Sequence, residues 1–463
     1  MSYSEVLIQA AQIEALIKNE ERRKERAYKA LCYYDDIQEP FLEKALRYRY
    51  PNTYADVLPF MVTIPLSKSM VRQLAKLFQN DPTINLRGID ETSAVAQEFT
   101  KLLDECKLYQ VLGQIDSICE TCHQVGVLPH YDAKRDRVYL QLITPDKVTV
   151  WQNEKDPTQL DALAYPILNR ENTLIAQKGN RYAFWTEDTY QEIEILMNGK
   201  IEAIPGTEAP NVYGRIPVIW FSIELPMNRF WIDSGYPIMN ANETANLQLT
   251  AFNMGIDFQS FATMVTEGMP ESQVITSNVS RFLNIPKDKI TGNLQGKAYY
   301  INPGVNLNSI WQVINDQISL AAALLGISTD FIRGGANYSS GYQLRLSMTG
   351  VIDHNQAKRS VYRESIRELI QIIMDCKRIY GKVNLPTDAD INIDYADVQV
   401  TPNQMELEQI RTLKLANGTM SIIDAIMEDN QDLDRQGAIE RKKQIDSENA
   451  IYRTPNLTTG MFE

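Results

Sequence analysis

Few residues of the types that carry out chemistry stand at the spacings that enzymes use. The segment Cys119-Glu-Thr-Cys-His123 has the letters of a c-type haem attachment site. Such attachment accompanies export, and the start of the chain has no export signal. A zinc site would need further ligands, and Cys106 and His130 do not stand at zinc-finger spacing. We therefore expect Cys119 and Cys122 to be a buried structural pair.

Two other segments resemble ion-binding or phosphate-binding loops but depart from them. Gly292-Asn-Leu-Gln-Gly-Lys297 is one residue short between its glycines, and Ala298 follows where a magnesium-binding Ser or Thr belongs. Asn430-Gln-Asp-Leu-Asp434 begins like a calcium loop, but Arg435 replaces the required glycine and Arg441 the bidentate glutamate. We expect no ATP hydrolysis, and the second segment is typical of a solvated acidic helix.

The histidines give no catalytic constellation. The chain has only His123, His130 and His354, and it lacks the nucleophile-elbow and metalloprotease patterns. The sequence therefore predicts a protein that is not an enzyme and needs no cofactor or metal. A carboxylate-metal DNA nuclease stays open as an alternative, because acidic residues are plentiful and such sites need no linear signature.

Composition places the chain among ordinary globular proteins. It has 463 residues, of which 44% are hydrophobic and 23% charged, and its five cysteines make a disulfide framework improbable. No window reaches the roughly 18 apolar residues of a membrane span, so we expect no membrane partner and a cytoplasmic origin. A net charge of −13 argues against a protein that wraps DNA on a basic face.

Two long helical patterns bracket a short insert. The first runs from Ser234 to Ile256 and the second from about Asn306 to Leu325, each with apolar residues at steps of three and four. The first helix has an apolar stripe of Ile238, Ala241, Ala245, Leu249, Phe252 and Ile256, with Asn240, Asn242, Asn246, Gln248 and Asn253 off that stripe. The second has Leu307, Ile310, Trp311, Ile314, Ile318, Ala321, Ala322 and Leu325.

The charges on these two helices are informative. Lysine, arginine and histidine are absent from Phe230 to Ser280 and from Ala298 to Ile332. Each phosphate that a cation neutralises adds salt-dependent affinity, so a wall along which DNA slides should carry few cations. Uncharged polar walls therefore suit a conduit. The alternative is an ordinary core hairpin whose outer face carries amides.

The rest of the chain predicts a mixed body of helices and strands. Strands are expected at Arg137–Ile143, Lys147–Trp151 and Asp161–Tyr165, and Asn198-Gly199 predicts a hairpin turn. Helix is expected from Thr92 to Gln124 with a break near Lys107, and from Gln343 to Tyr380 with a kink at Gly350.

The order of these elements resembles that of tailed-bacteriophage portal proteins. Helix, small insert and second helix are followed by Phe331-Ile-Arg-Gly-Gly-Ala-Asn-Tyr-Ser-Ser-Gly-Tyr-Gln-Leu-Arg345, which is similar to a portal tunnel loop and the Ser-Gly-x-Ala-Leu-Lys signature after it. Gln343 stands where that family has alanine. Upstream, Asn211-Val-Tyr-Gly-Arg-Ile-Pro-Val218 resembles the Gly-x-Ile-Pro-Val segment before the portal stem.

The resemblance implies an α+β portal fold in a ring oligomer, divided as follows. Residues 1–233 would be the first part of an α+β wing, 234–256 the first stem helix, 257–305 a small β-containing clip, 306–328 the second stem helix, 329–342 the tunnel loop, 343–401 the second part of the wing, and 402–463 a helical crown and C-terminal tail.

The resemblance also implies a function and its residues. The ring, a dodecamer in that family, would form the channel for double-stranded DNA at one capsid vertex of the virion, after assembly in the host cytoplasm. Its partners would be the terminase large subunit, a neck adaptor, and the major capsid and scaffolding proteins. A purely structural neck or baseplate ring is the other alternative. Channel residues would be Arg333, Gly334, Gly335, Asn337, Tyr338, Ser339 and Ser340, and the clip would bind partners through Arg281, Lys287, Lys289 and Lys297.

The sequence is compatible with two roles for Arg333. It could contact passing phosphates, or it could form a salt bridge to an acidic neighbour in the ring.

Overall fold

In a computed structural model, the chain folds into helices and β-sheets. The structure describes residues 10–167, 180–195, 201–232, 235–260, 263–267, 297–301, 306–329, 347–395, 411–429 and 435–452. Of the residues that the structure describes, 53% are helical and 17% lie in strands, which confirms the predicted α+β class.

The helices predicted from periodicity are present with shifts of a few residues at their ends, and further helices lie at 39–49 and 54–57, where none was predicted. They are α1 (Ala10–Tyr34), α2 (Glu39–Arg49), α3 (Tyr54–Val57), α4 (Leu66–Leu74), α5 (Ala94–Glu105), α6 (Leu108–Cys122), α7 (Pro237–Ser260), α8 (Leu307–Leu324), α9 (Thr349–Gly381), α10 (Ile422–Asp429) and α11 (Arg435–Tyr452). Residues 411–416 are also helical.

The strands form small antiparallel sheets. They are β1 (Thr83–Leu86), β2 (Gln124–Asp132), β3 (Arg137–Ile143), β4 (Thr149–Gln152), β5 (Leu160–Pro166), β6 (Asn180–Thr186), β7 (Thr189–Ile195), β8 (Ile201–Ala203), β9 (Ala209–Pro210), β10 (Ile219–Ser222), β11 (Thr263–Glu267), β12 (Lys297–Ile301) and β13 (Ile391–Asp394). Their orders are β10-β2-β3, β4-β5-β6-β7-β8 with β9 on β7, β1-β13 and β11-β12.

The main core lies where α6 and α9 cover the three-stranded sheet. α9 spans 33 residues, about 50 Å, and its apolar positions repeat at steps of three and four. Those positions are fully buried, as are their partners on α6 and β2, and each stabilises the fold by about 1.5–3 kcal/mol. The set is Leu108, Leu112, Ile115, Val125, Val127, Tyr362, Ile366, Leu369, Ile370 and Ile373.

Several local predictions are confirmed at residue level. Strand β3 has the predicted limits, and the helix predicted over Thr92–Gln124 divides at Lys107, whose φ of 54° ends the hydrogen-bond ladder. Strands β7 and β8 pair with Ile195 opposite Ile201, although the predicted Asn198-Gly199 turn lies outside the described residues.

The structure divides the chain into two compact units. The first contains residues 1–335 and 348–398, and the second residues 336–347 and 399–463. In the second unit α10 and α11 contact each other. Both helices fall within residues 402–463, where a helical segment is expected.

The predicted kink at Gly350 lies beside a break in the helix. Ser347 is helical, Met348 is in a turn and α9 begins at Thr349, so Gly350 belongs to the first turn of α9. It is glycine because the backbone of Gly326 lies against it: a Cβ on Gly350 would stand 2.5 Å from the Gly326 carbonyl oxygen.

Gly326 itself ends α8. Its φ is +71°, and the N–H groups of Gly326 and Ile327 donate to Ala323 and Ala322 in the pattern of a left-handed helix terminus. Ile327 and Val351 then pack in one core. The end of α8 and the start of α9 are thus fixed to each other by backbone contact.

We predict that Gly350→Ala lowers the free energy of unfolding by about 1–3 kcal/mol, because the new methyl group forces two backbones apart. Gly113→Ala is the matched control, since Gly113 lies inside α6 with open space around it and alanine there should raise stability by roughly 0.5–1 kcal/mol. Urea unfolding of both variants measures the difference. If both substitutions changed the free energy of unfolding equally, the close contact between Gly350 and Gly326 would be contradicted.

Candidate functional site

The predicted functional residues fall mainly outside the described part of the chain. Arg333, Gly334, Gly335, Asn337, Tyr338, Ser339 and Ser340 of the predicted tunnel loop lie there, as do Arg281, Lys287 and Lys289 of the predicted clip. Lys297 begins β12, and its backbone pairs with Glu267. What the structure does describe is the pair of helices between which the predicted clip is inserted.

These helices confirm the two predicted long helical segments with shifted limits. Helix α7 runs over 24 residues, about 36 Å, and continues to Ser260, four residues into the predicted clip. Helix α8 has 18 residues, about 27 Å, and Asn306 caps it by accepting a hydrogen bond from the N–H of Ser309. The antiparallel ribbon of β11 and β12 lies between them in the chain, with Thr263 opposite Ile301.

The two helices pack against each other along their length. The rings of Phe252 and Trp311 lie 5.7 Å apart, and the Gln248 side chain donates a hydrogen bond to Gln317. Small residues allow the helices to approach elsewhere along this contact. These are Ala241, Ala245 and Ala321.

The amides on α7 have two different roles. Asn242 and Asn246 are fully buried, so neither forms part of an exposed wall. The Oδ1 atom of Asn242 accepts the N–H of Ser67 at 2.7 Å, and that of Asn246 accepts the N–H of Ile64 at 3.0 Å. These two amides therefore belong neither to a DNA-facing wall nor to an outer face of a core hairpin. Asn240 is exposed.

The spacing of polar residues on α7 matches the spacing of N–H groups along the extended segment near Ile64. Thr250 Oγ1 accepts the N–H of Val62, one helical turn beyond Asn246, which accepts the N–H of Ile64. Four residues of helix rise about 6 Å, and two residues of extended chain advance about 6.6 Å. A polar stripe on a helix can therefore satisfy alternate N–H groups of a segment that belongs to no sheet. Gln38 completes the network by accepting from both asparagines at 3.2 and 2.8 Å.

We predict that Asn242→Leu lowers the free energy of unfolding by about 1–3 kcal/mol, because it leaves the buried N–H of Ser67 without an acceptor. Asn240→Leu is the control on the same helix, and it should change stability by less than about 0.5 kcal/mol since Asn240 is exposed. Chemical denaturation measures both. A small effect at both positions would show that the amide network contributes little.

A buried ion cluster lies where α6 faces α9. Lys358 Nζ is 2.6 Å from Asp116 Oδ1 and 2.5 Å from Glu120 Oε1, and these three side chains are 1%, 1% and 4% exposed. His354 Nε2 lies 2.7 Å from the same Glu120 oxygen. Asp116 Oδ2 also accepts the backbone N–H of Leu77 at 3.1 Å.

The pKa shifts follow from burial and from these partners. Burial disfavours ionised Glu120, but the hydrogen bonds and charges of His354 and Lys358 outweigh it and lower the pKa. Burial raises the pKa of Asp116, and Lys358 offsets only part of that effect. Burial disfavours the Lys358 ammonium, yet the two carboxylates outweigh it and raise the pKa.

Sequence reasoning missed this cluster, although a signal exists. Asp116 and Glu120 are four residues apart on α6, as are His354 and Lys358 on α9, so each helix presents two charged groups on one face. The α6 pair interrupts an apolar stripe that includes Ile115. Charged pairs inside an apolar stripe indicate buried ion pairs. The sequence does not tell which helix carries the oppositely charged residue, because the tertiary fold decides that.

We predict that Lys358→Met lowers the free energy of unfolding by about 3–5 kcal/mol, because it leaves two buried carboxylates without their cation. Arg87→Met is the control, since the Arg87–Asp390 pair is largely exposed and its loss should matter little. Thermal and urea unfolding measure both variants. A small loss of stability in Lys358→Met would show that water or a rearrangement of the side chains stabilises the two carboxylates in place of Lys358.

One face of α8 is apolar and exposed. Val313, Leu320 and Leu324 are 51%, 61% and 79% exposed, and their spacings of seven and four residues place them on one stripe. Leu320 and Leu324 also line a groove between α7 and α8, together with Asn240 and Thr244. The exposed side of the helix pair therefore offers leucines and uncharged polar groups.

The cysteine motif has the expected surroundings. Helix α6 ends at Cys122, and all five cysteines are buried and free. Cys119 Sγ donates to the carbonyl of Phe221 and Cys122 Sγ to that of Ala27, so the two thiols contact different elements. Across the described residues, no group of three or more His, Cys, Asp or Glu side chains could hold a metal ion.

The chain was compared with known protein families and with curated protein sequences. No model of a known protein family matches the chain, and no curated protein sequence matches it. Among the described helices, none is both long and apolar enough to cross a bilayer.

Proposed function

We propose that this chain is the portal protein of a tailed bacteriophage, a ring at one capsid vertex through which double-stranded DNA is packaged and ejected. By resemblance the ring is a dodecamer. The chain would carry out no catalysis, and it would dock the terminase large subunit during packaging and a neck adaptor afterwards. It would assemble with the major capsid and scaffolding proteins in the host cytoplasm and remain in the virion.

The observation that carries this proposal is the helix pair α7 and α8 with the β11–β12 ribbon between them. Two rods of about 36 and 27 Å, with one strand of an antiparallel pair near each end of the insert between them, are the order expected of a portal stem and clip. The tunnel loop would then follow α8, over residues 329–342. The wing would be built from residues 1–233 and 343–401, and the crown from residues beyond 402.

The charges of the helix pair support a DNA conduit. Neither α7 nor α8 contains a lysine, arginine or histidine. Their acidic residues are Glu243, Asp257 and Asp316, and Glu243 is paired with Lys29 at 2.7 Å. DNA that passes such a wall meets almost no group that neutralises its phosphates, so its movement should depend weakly on salt.

The exposed stripe of α8 supports assembly into a ring. Val313, Leu320 and Leu324 present an apolar surface that water covers in a single copy. In a ring with cyclic symmetry, one patch of each subunit meets a different patch of the next. We propose that this stripe packs on a neighbouring copy of the α7–α8 pair. The cations Arg281, Lys287, Lys289 and Lys297 would remain at the clip for partners.

The test is the assembly state of the purified protein and of a double variant. We expect the wild type to form rings with an axial hole in negative-stain images and a solution mass of many copies. Val313→Glu with Leu320→Glu should abolish rings and leave folded single copies, because each new carboxylate would be buried without a cation against the neighbouring copy. Gln312→Glu, at an exposed position on an adjacent face of α8, should leave rings intact.

Two results would overturn the proposal. Wild-type protein that stays a single copy and cuts DNA in a magnesium-dependent manner would favour the carboxylate-metal nuclease instead. Rings that persist in the double variant would remove the α8 stripe as the subunit contact, and circular dichroism would verify that the variant is folded.

A further inference from the structure

A basic and aromatic surface lies at the C-terminal end of α2. From Lys44 to Ala55 the chain has three cations, three tyrosines and no aspartate or glutamate, although the whole chain carries a net charge of −13. Helix α2 ends within this stretch because Pro51 disfavours a helical residue before it. We name the exposed side chains at this helix end the α2 patch, which consists of Lys44, Arg47, Tyr48 and Arg49.

The patch stands on a firmly packed helix. Leu42 and Leu46, on the other face of α2, are fully buried and pack with Leu247 and Met254 of α7. A helix that is held by its buried face presents the side chains of its outer face in defined positions.

Two of the three tyrosine rings in this stretch already carry a cation. The Cζ atom of Arg47 lies 4.7 Å from the centroid of the Tyr54 ring, and that of Arg49 lies 5.7 Å from the centroid of the Tyr50 ring. Stacking on a ring holds the planar guanidinium group in place and leaves its N–H donors for a phosphate.

The cations of the patch have no carboxylate partner in the described chain. Lys44, Arg47 and Arg49 form no ion pair there, although Glu43 stands four residues before Arg47. Glu43 accepts a hydrogen bond from the Tyr54 hydroxyl at 3.4 Å instead. Three positive charges are therefore available to an anion from outside.

Tyr48 is the side chain that packing does not explain. It is 91% exposed, and no other ring or guanidinium group of the described chain stacks on it. The helix dipole favours cations in the last turn, but it gives no reason for a bare aromatic ring between them. A bare ring can stack on a base, and stacking combined with phosphate contacts is how proteins bind single-stranded nucleic acids.

The composition of the patch favours a nucleic acid over a protein as its partner. The core of a protein–protein interface is apolar and depleted of charged residues. Between Gln38 and Phe60, a stretch that is described throughout, Tyr48 is the one large hydrophobic side chain that is exposed, and its neighbours in the patch are cations. Interfaces with nucleic acids are more polar and much more positively charged.

We propose that the α2 patch binds a single-stranded segment of nucleic acid, with a base stacked on Tyr48 and the adjacent phosphates held by the three cations. Lys44 and Arg49 are about 7.5 Å apart along the helix axis, which matches two stacked nucleotides at roughly 3.4 Å each. The site does not depend on the portal proposal, which concerns duplex DNA beside the cation-free helices α7 and α8.

Fluorescence anisotropy of the full chain with a labelled oligothymidine of about ten nucleotides tests the proposal. The oligothymidine should bind at about 50 mM salt, and its affinity should fall tenfold to twentyfold at about 200 mM, as three phosphate contacts to a single strand require. Absence of binding at the lower salt concentration would overturn the proposal.

Tyr48→Ala tests the stacked base. It should weaken oligothymidine binding roughly fivefold to a hundredfold, the value of one stacked base, without changing the salt dependence. Tyr48→Phe keeps the ring and should bind like the wild type. Any binding of a duplex should not respond to Tyr48→Ala, because paired bases cannot stack on the ring. The side chain is 91% exposed, so its loss should leave the fold intact. Unchanged affinity of Tyr48→Ala for oligothymidine would overturn the proposal.

A pair of double variants tests the phosphate contacts. Arg47→Gln with Arg49→Gln should make the slope of log affinity against log salt shallower by about 1.4. Lys134→Gln with Arg135→Gln changes the net charge equally in the exposed loop between β2 and β3, and it should leave the slope unchanged. Equal effects of the two double variants would show that binding follows overall charge, which would contradict a local site.

The same assay separates the other occupants of the patch. Polyglutamate that displaces the label as well as unlabelled oligothymidine does, at equal concentrations of negative charge, would indicate an acidic protein partner and overturn the proposal. A wild type that fails to bind oligothymidine, and whose solution mass falls in Tyr48→Ala, would assign the patch to a contact between copies.

Discussion

The ion pairs of Lys358 are the constraint on which the main body depends. Placing two carboxylates and an ammonium group out of water costs several kcal/mol for each ion, and only close contact between them offsets this. Contact at 2.5 and 2.6 Å fixes the rotation and the register of α9 against α6. Slippage by one residue would bury unpaired charge. The apolar positions that repeat along α9 can then meet the three-stranded sheet in one arrangement only.

The position of α8 depends on that of α9. The backbone contact between Gly326 and Gly350 ties the end of α8 to the first turn of α9, and Ile327 packs with Val351 beside it. Helix α7 is held by other means, since Asn242 and Asn246 bind the backbone near Ile64. The helix pair is therefore attached to the body on one side, by these polar groups and by apolar contacts, which leaves its other side available.

The helix pair buries some polar groups and exposes some apolar ones. Asn242 and Asn246 are buried on α7 with satisfied hydrogen bonds, whereas Val313, Leu320 and Leu324 are exposed on α8. Exposed leucines in a row suit a surface that another protein covers. This distribution is what the proposed ring needs, because the amides orient each helix pair and the leucines are free to meet a neighbour.

The sequence by itself determined the elements whose signals are local. Periodicity located α7, α8 and α9, alternation located β3, and a break near Lys107 was visible because helical patterns end and restart there. The tertiary structure alone decided which polar residues face inward. Asn242 and Asn240 have the same side chain two positions apart, yet one is buried and the other exposed, because only the first lies opposite the N–H groups of a segment about 175 positions earlier. Gly350 likewise could not be interpreted locally, since its requirement comes from the backbone of Gly326. Local patterns record backbone geometry within a few residues, whereas the satisfaction of a buried polar group depends on a partner that folding brings from far along the chain.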